Sequence, residues 1–147
     1  MEIAVLGLGC FWGPEIKFSK VSGVIKTEVG YCGGNTKETT YEEVCTGKTN
    51  HAEVVKLDFD PKIISYEKIL EYFFEIHDST TLNSQGPDFG TQYRSEIFYL
   101  NDKQKKIANE VLDKENIKLS KKVVTKISLL NNYCAAEAHH QKYLEKR

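Results

Sequence analysis

Glu2-Ile3-Ala4-Val5-Leu6-Gly7-Leu8-Gly9-Cys10-Phe11-Trp12-Gly13-Pro14 stands at the start of the sequence, and the rest is organised around it. Glu2 to Leu6 reads as a short buried strand. From Pro14 to Val21, apolar side chains recur at helical spacing behind a proline suited to a first helical turn. Cys10 therefore falls at a strand-to-helix junction, where free backbone N–H groups and the helix dipole favour a thiolate nucleophile. Two large aromatics follow it, with glycines on either side. The same residues also fit a core cysteine, since free cysteine is among the most buried residue types.

A strand followed by Gly7, Gly9 and Gly13, with Glu28 near the place of a ribose-binding acid, fits a dinucleotide loop as well. Phe11 and Trp12 oppose that reading, because they occupy the turn where backbone must approach a pyrophosphate closely.

The length of 147 residues predicts one domain, 1–147, with a sizeable core. Hydrophobic residues at 40% and charged residues at 28% are the proportions of a soluble globular protein. A net charge of −1 gives no electrostatic argument for nucleic acid or an acidic membrane. The apolar runs are too short to span a bilayer and no basic-then-apolar leader precedes the first strand, so a cytoplasmic protein is expected. Cys10, Cys32, Cys45 and Cys134 form no C-x-x-C pair, which removes a zinc ribbon. A reducing compartment makes them thiols, either reactive or simply buried.

Further along, Val24 to Tyr31 reads as a second strand running into the loop Gly33-Gly34-Asn35. Tyr41 to Cys45 fits one helical turn ended by Gly47, and His51 to Phe59 a strand closed by Asp60-Pro61. Ser65 caps a helix from Tyr66 to His77 with the apolar stripe Ile69, Leu70, Phe73, Phe74 and Ile76. Asp78 to Gln92 has no period, and so long an aperiodic loop is usually functional or disordered. A strand ending in Ile97 to Leu100, a charged and exposed helix to Leu119, a strand from Val123 to Leu130 and a terminal helix from Ala136 to Lys146 complete the reading. Strands and helices mixed in this way predict an α/β sandwich of two or three layers.

Several polar residues stand where patterning does not ask for them. Glu53 interrupts an otherwise apolar strand; it either faces solvent on an alternating strand or is a buried acid with a raised pKa. Tyr41 and Tyr93 flank loops, where a phenol is a core residue or a hydrogen-bond donor. Asp88 lies in the aperiodic loop, where turn or capping roles are common.

Gly9-Cys10-Phe11-Trp12-Gly13-Pro14-Glu15 resembles the signature of the peptide methionine sulfoxide reductase A family. The likeness continues through Gly30 to Gly34, Thr40 to Val55, His77 to Phe98 and Ala136 to Leu144. It implies a two-layer α/β sandwich of ferredoxin-like plait type around a mixed β-sheet. It also implies thiol-dependent reduction of the S epimer of methionine sulfoxide, free or in oxidised proteins. On this resemblance Cys10 is the nucleophile, left as a sulfenic acid. Phe11 and Trp12 bind the S-methyl group, Glu53 is the acid, and Tyr41, Tyr93 and Asp88 stand on the oxygen side. No bound cofactor or metal is implied, and a monomer is expected. The His139-His140 pair does not alter this, because adjacent residues on a helix do not share a face.

Many members of the family resolve the sulfenic acid with a cysteine in a glycine-rich tail beyond the last helix, and this sequence reaches Arg147 without one. Cys134 is the first internal substitute and Cys32 the second, with thioredoxin then reducing the disulfide; Cys45 is read as structural. The alternative is a one-cysteine cycle in which glutathione, glutaredoxin or another thiol attacks Cys10 directly. Asn50 stands where the family usually has glycine. Two rival functions remain open to test, a Cys-His hydrolase using Cys10 with His51 or His77 and the dinucleotide module.

Overall fold

The computed structural model describes residues 1–119 and 122–146. Its main sheet has six strands: β1 (Glu2–Leu8), β2 (Val24–Cys32), β3 (Ala52–Phe59), β6 (Ser95–Tyr99), β7 (Lys126–Leu129) and β8 (Cys134–Ala135), in the order β7-β6-β1-β3-β2-β8. Every neighbouring pair is antiparallel except β6 and β7, so the sheet is mixed and mostly antiparallel. A second small sheet pairs β4 (Ser84–Gln85) with β5 (Asp88–Phe89).

Side-chain alternation along the central strands builds two cores. Ala4, Leu6 and Leu8 of β1 join Val55, Leu57 and Phe59 of β3 and Val29 and Tyr31 of β2 on one side. Helices α1 (Trp12–Ser19), α3 (Tyr66–Glu75) and α4 (Asp102–Lys118) pack there through Phe18, through Ile69, Leu70 and Phe73, and through Ala108 and Val111. Val5, Cys32, Ala52, Val54 and Phe98 point the other way into a smaller cluster beneath Leu130 and Tyr133. Both faces of β1 and β3 are therefore buried, which explains the nearly continuous apolar runs in those strands.

Local chemistry sets the boundaries. Ser65 Oγ accepts from the Lys68 N–H to open α3, and Asn101 Oδ1 accepts from the Gln104 N–H to open α4. Thr40 does the same for α2 (Tyr41–Cys45), accepting from the Glu43 N–H. The terminal region departs from the continuous helix that spacing predicts. It forms a 3-10 turn at Ala138–His140 and a short α5 (Tyr143–Lys146), broken where Lys142 turns to φ 52°. The Lys142 N–H is drawn instead to Glu15 Oε1 at 2.7 Å. Strand β7 begins at Lys126, later than Val123, and part of the region leading to it lies outside the described residues. Helix α4 is not wholly exposed, since Gln104, Ala108 and Val111 are buried.

Candidate active site

Leu8 ends β1 and Gly9 turns the chain at φ 102°. A side chain at Gly9 would be strained by that φ, and its Cβ would lie 2.9 Å from the side chain of Gln85. This close approach sets the β4–β5 hairpin against the Cys10 turn. Cys10 is half-buried just ahead of α1.

Glu53 is the second residue of β3 and points to the helix-covered side, directly opposite Tyr31 of β2. It is 1% exposed. Its Oε1 accepts the Phe11 N–H at 3.3 Å, and Oε2 is buried without a hydrogen-bond partner among the described residues. Burial, reinforced by the negative Asp88 and only partly offset by the Phe11 N–H, pushes the carboxyl up to about 8. Of the two sequence readings of Glu53, the solvent-facing one is thus removed.

Cys10 differs from its expectation. Burial first, then the charges of Glu53 and Asp88, raise the thiol to about 11 against the lowering effect of the Trp12 N–H. The helix start does supply a donor, but one N–H does not outweigh desolvation. The resting group is a thiol. The Glu53 contribution vanishes whenever that carboxyl is protonated, so the acidity of Cys10 is tied to the proton on Glu53.

The aromatic pair is held rigidly. Phe11 is buried, with its ring 5.7 Å from Tyr31 and 5.5 Å from His140. Trp12 stacks on Tyr143 at 3.9 Å and 11°, and its Nε1 donates to His140 Nδ1 at 3.1 Å. The proton of neutral His140 therefore sits on Nε2. Tyr41 of α2 places its ring 4.6 Å from His140. Its backbone N–H donates to Glu137 Oε2 at 2.9 Å, while the Tyr31 hydroxyl donates to Glu137 Oε1 at 2.8 Å. Tyr93 closes the 3-10 turn Thr91–Tyr93, where burial and the acids Glu53 and Asp88 raise its hydroxyl to about 12. Asp88 reaches the same cluster from β5, within range of Cys10, Glu53 and Tyr93.

The other cysteines divide. Cys32 is fully buried on the far side of the sheet, donating to the Asn131 carbonyl at 3.2 Å, and burial raises it to about 12. Cys134 lies on edge strand β8 opposite Tyr31, hence on the same side as Glu53. Cys45 is exposed one helical turn after Tyr41, and the Tyr41 hydroxyl hydrogen-bonds it. It stands at the rim of the site rather than in the core.

The rival histidines are engaged elsewhere. His77 uses both ring nitrogens, on the Phe73 carbonyl and on Ser95 Oγ at 2.8 Å, and burial lowers it to about 4. His51 Nε2 meets the Thr36 carbonyl at 2.9 Å. Glu28 accepts the Tyr133 hydroxyl instead of standing open for a ribose. Glu137, His140, Tyr31 and Tyr143 were not singled out from the sequence for this site. The Ala136 to Leu144 block carries three of them, but neither burial nor pairing is visible in a short polar run.

A buried acid, a cysteine turn and an aromatic wall thus meet at one end of the sheet. The family model "Peptide methionine sulfoxide reductase" matches residues 2–147, and the chain belongs to that family. It is 80% identical over 147 residues to the peptide methionine sulfoxide reductase MsrA of Pelagibacter ubique, with both chains covered completely. Reduced Mxr1 of Saccharomyces cerevisiae superposes with a TM-score of 0.95 at 38% identity, covering 99% of this chain and 85% of that one. Mxr1 has also been solved in complex with Trx2; that chain matches with a TM-score of 0.69 at 26% identity, covering 97% and 84%. The protein is an enzyme, a peptide-methionine sulfoxide reductase. Among the described residues no helix is long and apolar enough to cross a membrane.

Proposed function

We propose that Cys10 and Glu53 reduce the S epimer of methionine sulfoxide, free or within proteins, and that a thioredoxin-type dithiol restores the enzyme. The observation that carries this reading is the buried Glu53 carboxyl beside the Cys10 turn, pushed up to about 8 by burial, with Oε2 unpartnered among the described residues. A sulfoxide oxygen must be protonated to leave, and Oε2 is the donor for it. The Tyr41 and Tyr93 hydroxyls hold that oxygen and stabilise the charge developing on it. Phe11 and Trp12 enclose the methyl group by apolar burial and sulfur–aromatic contact. Separate methyl and oxygen subsites account for choice of epimer.

The chemistry balances as Cys10–SH plus R–S(O)–CH3 giving Cys10–SOH plus R–S–CH3. Two electrons pass from the cysteine sulfur to the methionine sulfur, and the oxygen passes the other way. Proton donation leaves Glu53 as a carboxylate able to take the thiol proton. Since Glu53 acts in its protonated form, methionine release slows as pH rises through about 8.

Regeneration of the sulfenic acid consumes two external thiols and yields a disulfide and water. The Mxr1–Trx2 complex supports a thioredoxin as their source. Cys134 lies on edge strand β8, on the same side of the sheet as Glu53. Both routes stay in view: an internal Cys10–Cys134 disulfide that thioredoxin then reduces, and direct attack of an external thiol on Cys10. We also read the central order β6-β1-β3-β2 as the ferredoxin-like plait, with β7 and β8 added at the edges.

A single turnover without reductant tests the reading. Reduced protein is mixed with S-methionine sulfoxide, methionine is quantified, and free thiols are counted. One methionine per chain with Cys10 oxidised is expected, and Cys10→Ser should release none while keeping its fold. Absence of methionine from the wild type, or full activity in Cys10→Ser, would remove Cys10 from the role.

A further inference from the structure

We infer that Arg94 is a positioning residue, a single guanidinium that fixes the Tyr93 turn relative to the strand start carrying Glu53. This deepens the sulfoxide-reductase reading and rests on it. Arg94 is 8% exposed and lies immediately after Tyr93. Its NH1 donates to the Thr91 carbonyl at 2.8 Å, the residue that opens the 3-10 turn ending in Tyr93. Its NH2 donates to the Asn50 carbonyl at 3.0 Å. Asn50 turns at φ 57° three residues ahead of Glu53, a conformation that asparagine tolerates better than most residues. Its Nε donates to Glu96 Oε1 at 2.7 Å, and Glu96 Oε2 accepts the Ser128 hydroxyl at 2.6 Å.

The three bonds leave the planar fork no rotational freedom. One arm is anchored in the sheet through Glu96, and the other two carry the loops that deliver the oxygen-side hydroxyl and approach the acid. Arg94 itself touches neither Cys10 nor Glu53 by any of these bonds. Its effect reaches the reaction through the separation of Tyr93 from Glu53, and a displacement of about 1 Å in such a constellation costs on the order of 10²-fold in rate. Lysine keeps the charge beside Glu96 but cannot serve both carbonyls at once.

The test is a double-mutant cycle of Tyr93→Phe and Arg94→Lys, read as kcat and KM of methionine release with excess dithiothreitol, well below each variant's melting temperature. Arg94→Lys should lower kcat by roughly 10- to 100-fold with KM little changed, because the methyl subsite is untouched. In the Tyr93→Phe background the same substitution should cost much less, since the group it positions is gone. Costs that simply multiply, a Tyr93→Phe variant as fast as wild type, or an unchanged kcat in Arg94→Lys would each overturn the inference. Should Arg94→Lys not fold, the pair Arg94→Gln with Glu96→Gln carries the same cycle by exchanging the ion pair for two amides. Wild-type turnover in the same assay separates the two levels. If wild type releases methionine and Arg94→Lys matches its kcat, the reductase mechanism stands and only the role of Arg94 falls. If wild type releases none, both fall.

Discussion

Two buried carboxylates on opposite faces of the sheet, Glu96 and Glu53, are handled in opposite ways. On the far side, beside Phe98 and Cys32, Glu96 meets the Arg94 guanidinium at 2.7 Å and the Ser128 hydroxyl at 2.6 Å. On the helix-covered side, Glu53 has one backbone N–H at 3.3 Å and a second oxygen with no partner among the described residues. Burying a charge is costly unless it is paired. A cation solves the problem for Glu96, and a retained proton solves it for Glu53. The first solution gives a fixed strut, while the second leaves a proton available for transfer.

The largest effect expected from this contrast is on catalysis. Glu53→Gln keeps an oxygen for the Phe11 N–H but removes the acid, so methionine release at pH 7 should fall by about 10²–10⁴-fold. The loss should be smallest near pH 5, where solvent helps to protonate the sulfoxide. An unchanged rate at pH 7 would mean that the two carboxylates differ in surroundings and not in role. Glu96→Gln should act mainly on stability. It leaves Arg94 buried without its counter-charge, a change that typically costs about 3–5 kcal/mol, measurable as a lowered urea midpoint.

Stability as a function of pH sharpens the same contrast. Folded Glu53 holds its proton up to about 8, whereas an unfolded glutamate releases it near about 4.3. Between those values the native state binds more protons than the unfolded chain, so the Glu53 contribution is complete at low pH and is lost as pH rises through the window. His77 works in the opposite sense. Burial lowers it to about 4, and its neutral state costs stability as pH falls below its ordinary range. Urea titrations of wild type against Glu53→Gln cancel the His77 contribution. The variant should gain on wild type with rising pH, by up to about 1.4 kcal/mol for each pH unit, and level off above pH 8. Parallel curves would show that Glu53 is ionised in the folded protein.

Much of this was legible from residue order. Period and capping placed β1, β2, β3, α3 and α4, because Val, Ile and Leu runs and a cap such as Ser65 report purely local preferences. The site residues came from block likeness, and pattern alone left Glu53 between solvent and core. Burial on both faces of β3 resolves that, and it depends on which strands flank β3, a long-range property. The terminal helix was misread for a similar reason, since Glu15 pulls the Lys142 N–H away from helical bonding across 127 positions. The acidity of Cys10 was misjudged because a helix start is visible in sequence while the degree of desolvation is not.

The smallest effect concerns the remaining thiols and tests whether the two faces communicate. Cys32 shares the Glu96 side, and serine in its place can keep the bond to the Asn131 carbonyl. Cys32→Ser should therefore lose about 1 kcal/mol of stability and leave both methionine release and the number of thiols consumed unchanged. Cys134 lies on the Glu53 side, so if a Cys10–Cys134 disulfide forms during turnover, Cys134→Ser alone should reduce the thiols lost per methionine from two to one. If direct attack on Cys10 is the route, neither substitution should alter that count. A change produced by Cys32→Ser would mean that the sheet opens between its faces, and the separation of strut from proton donor would no longer hold during turnover.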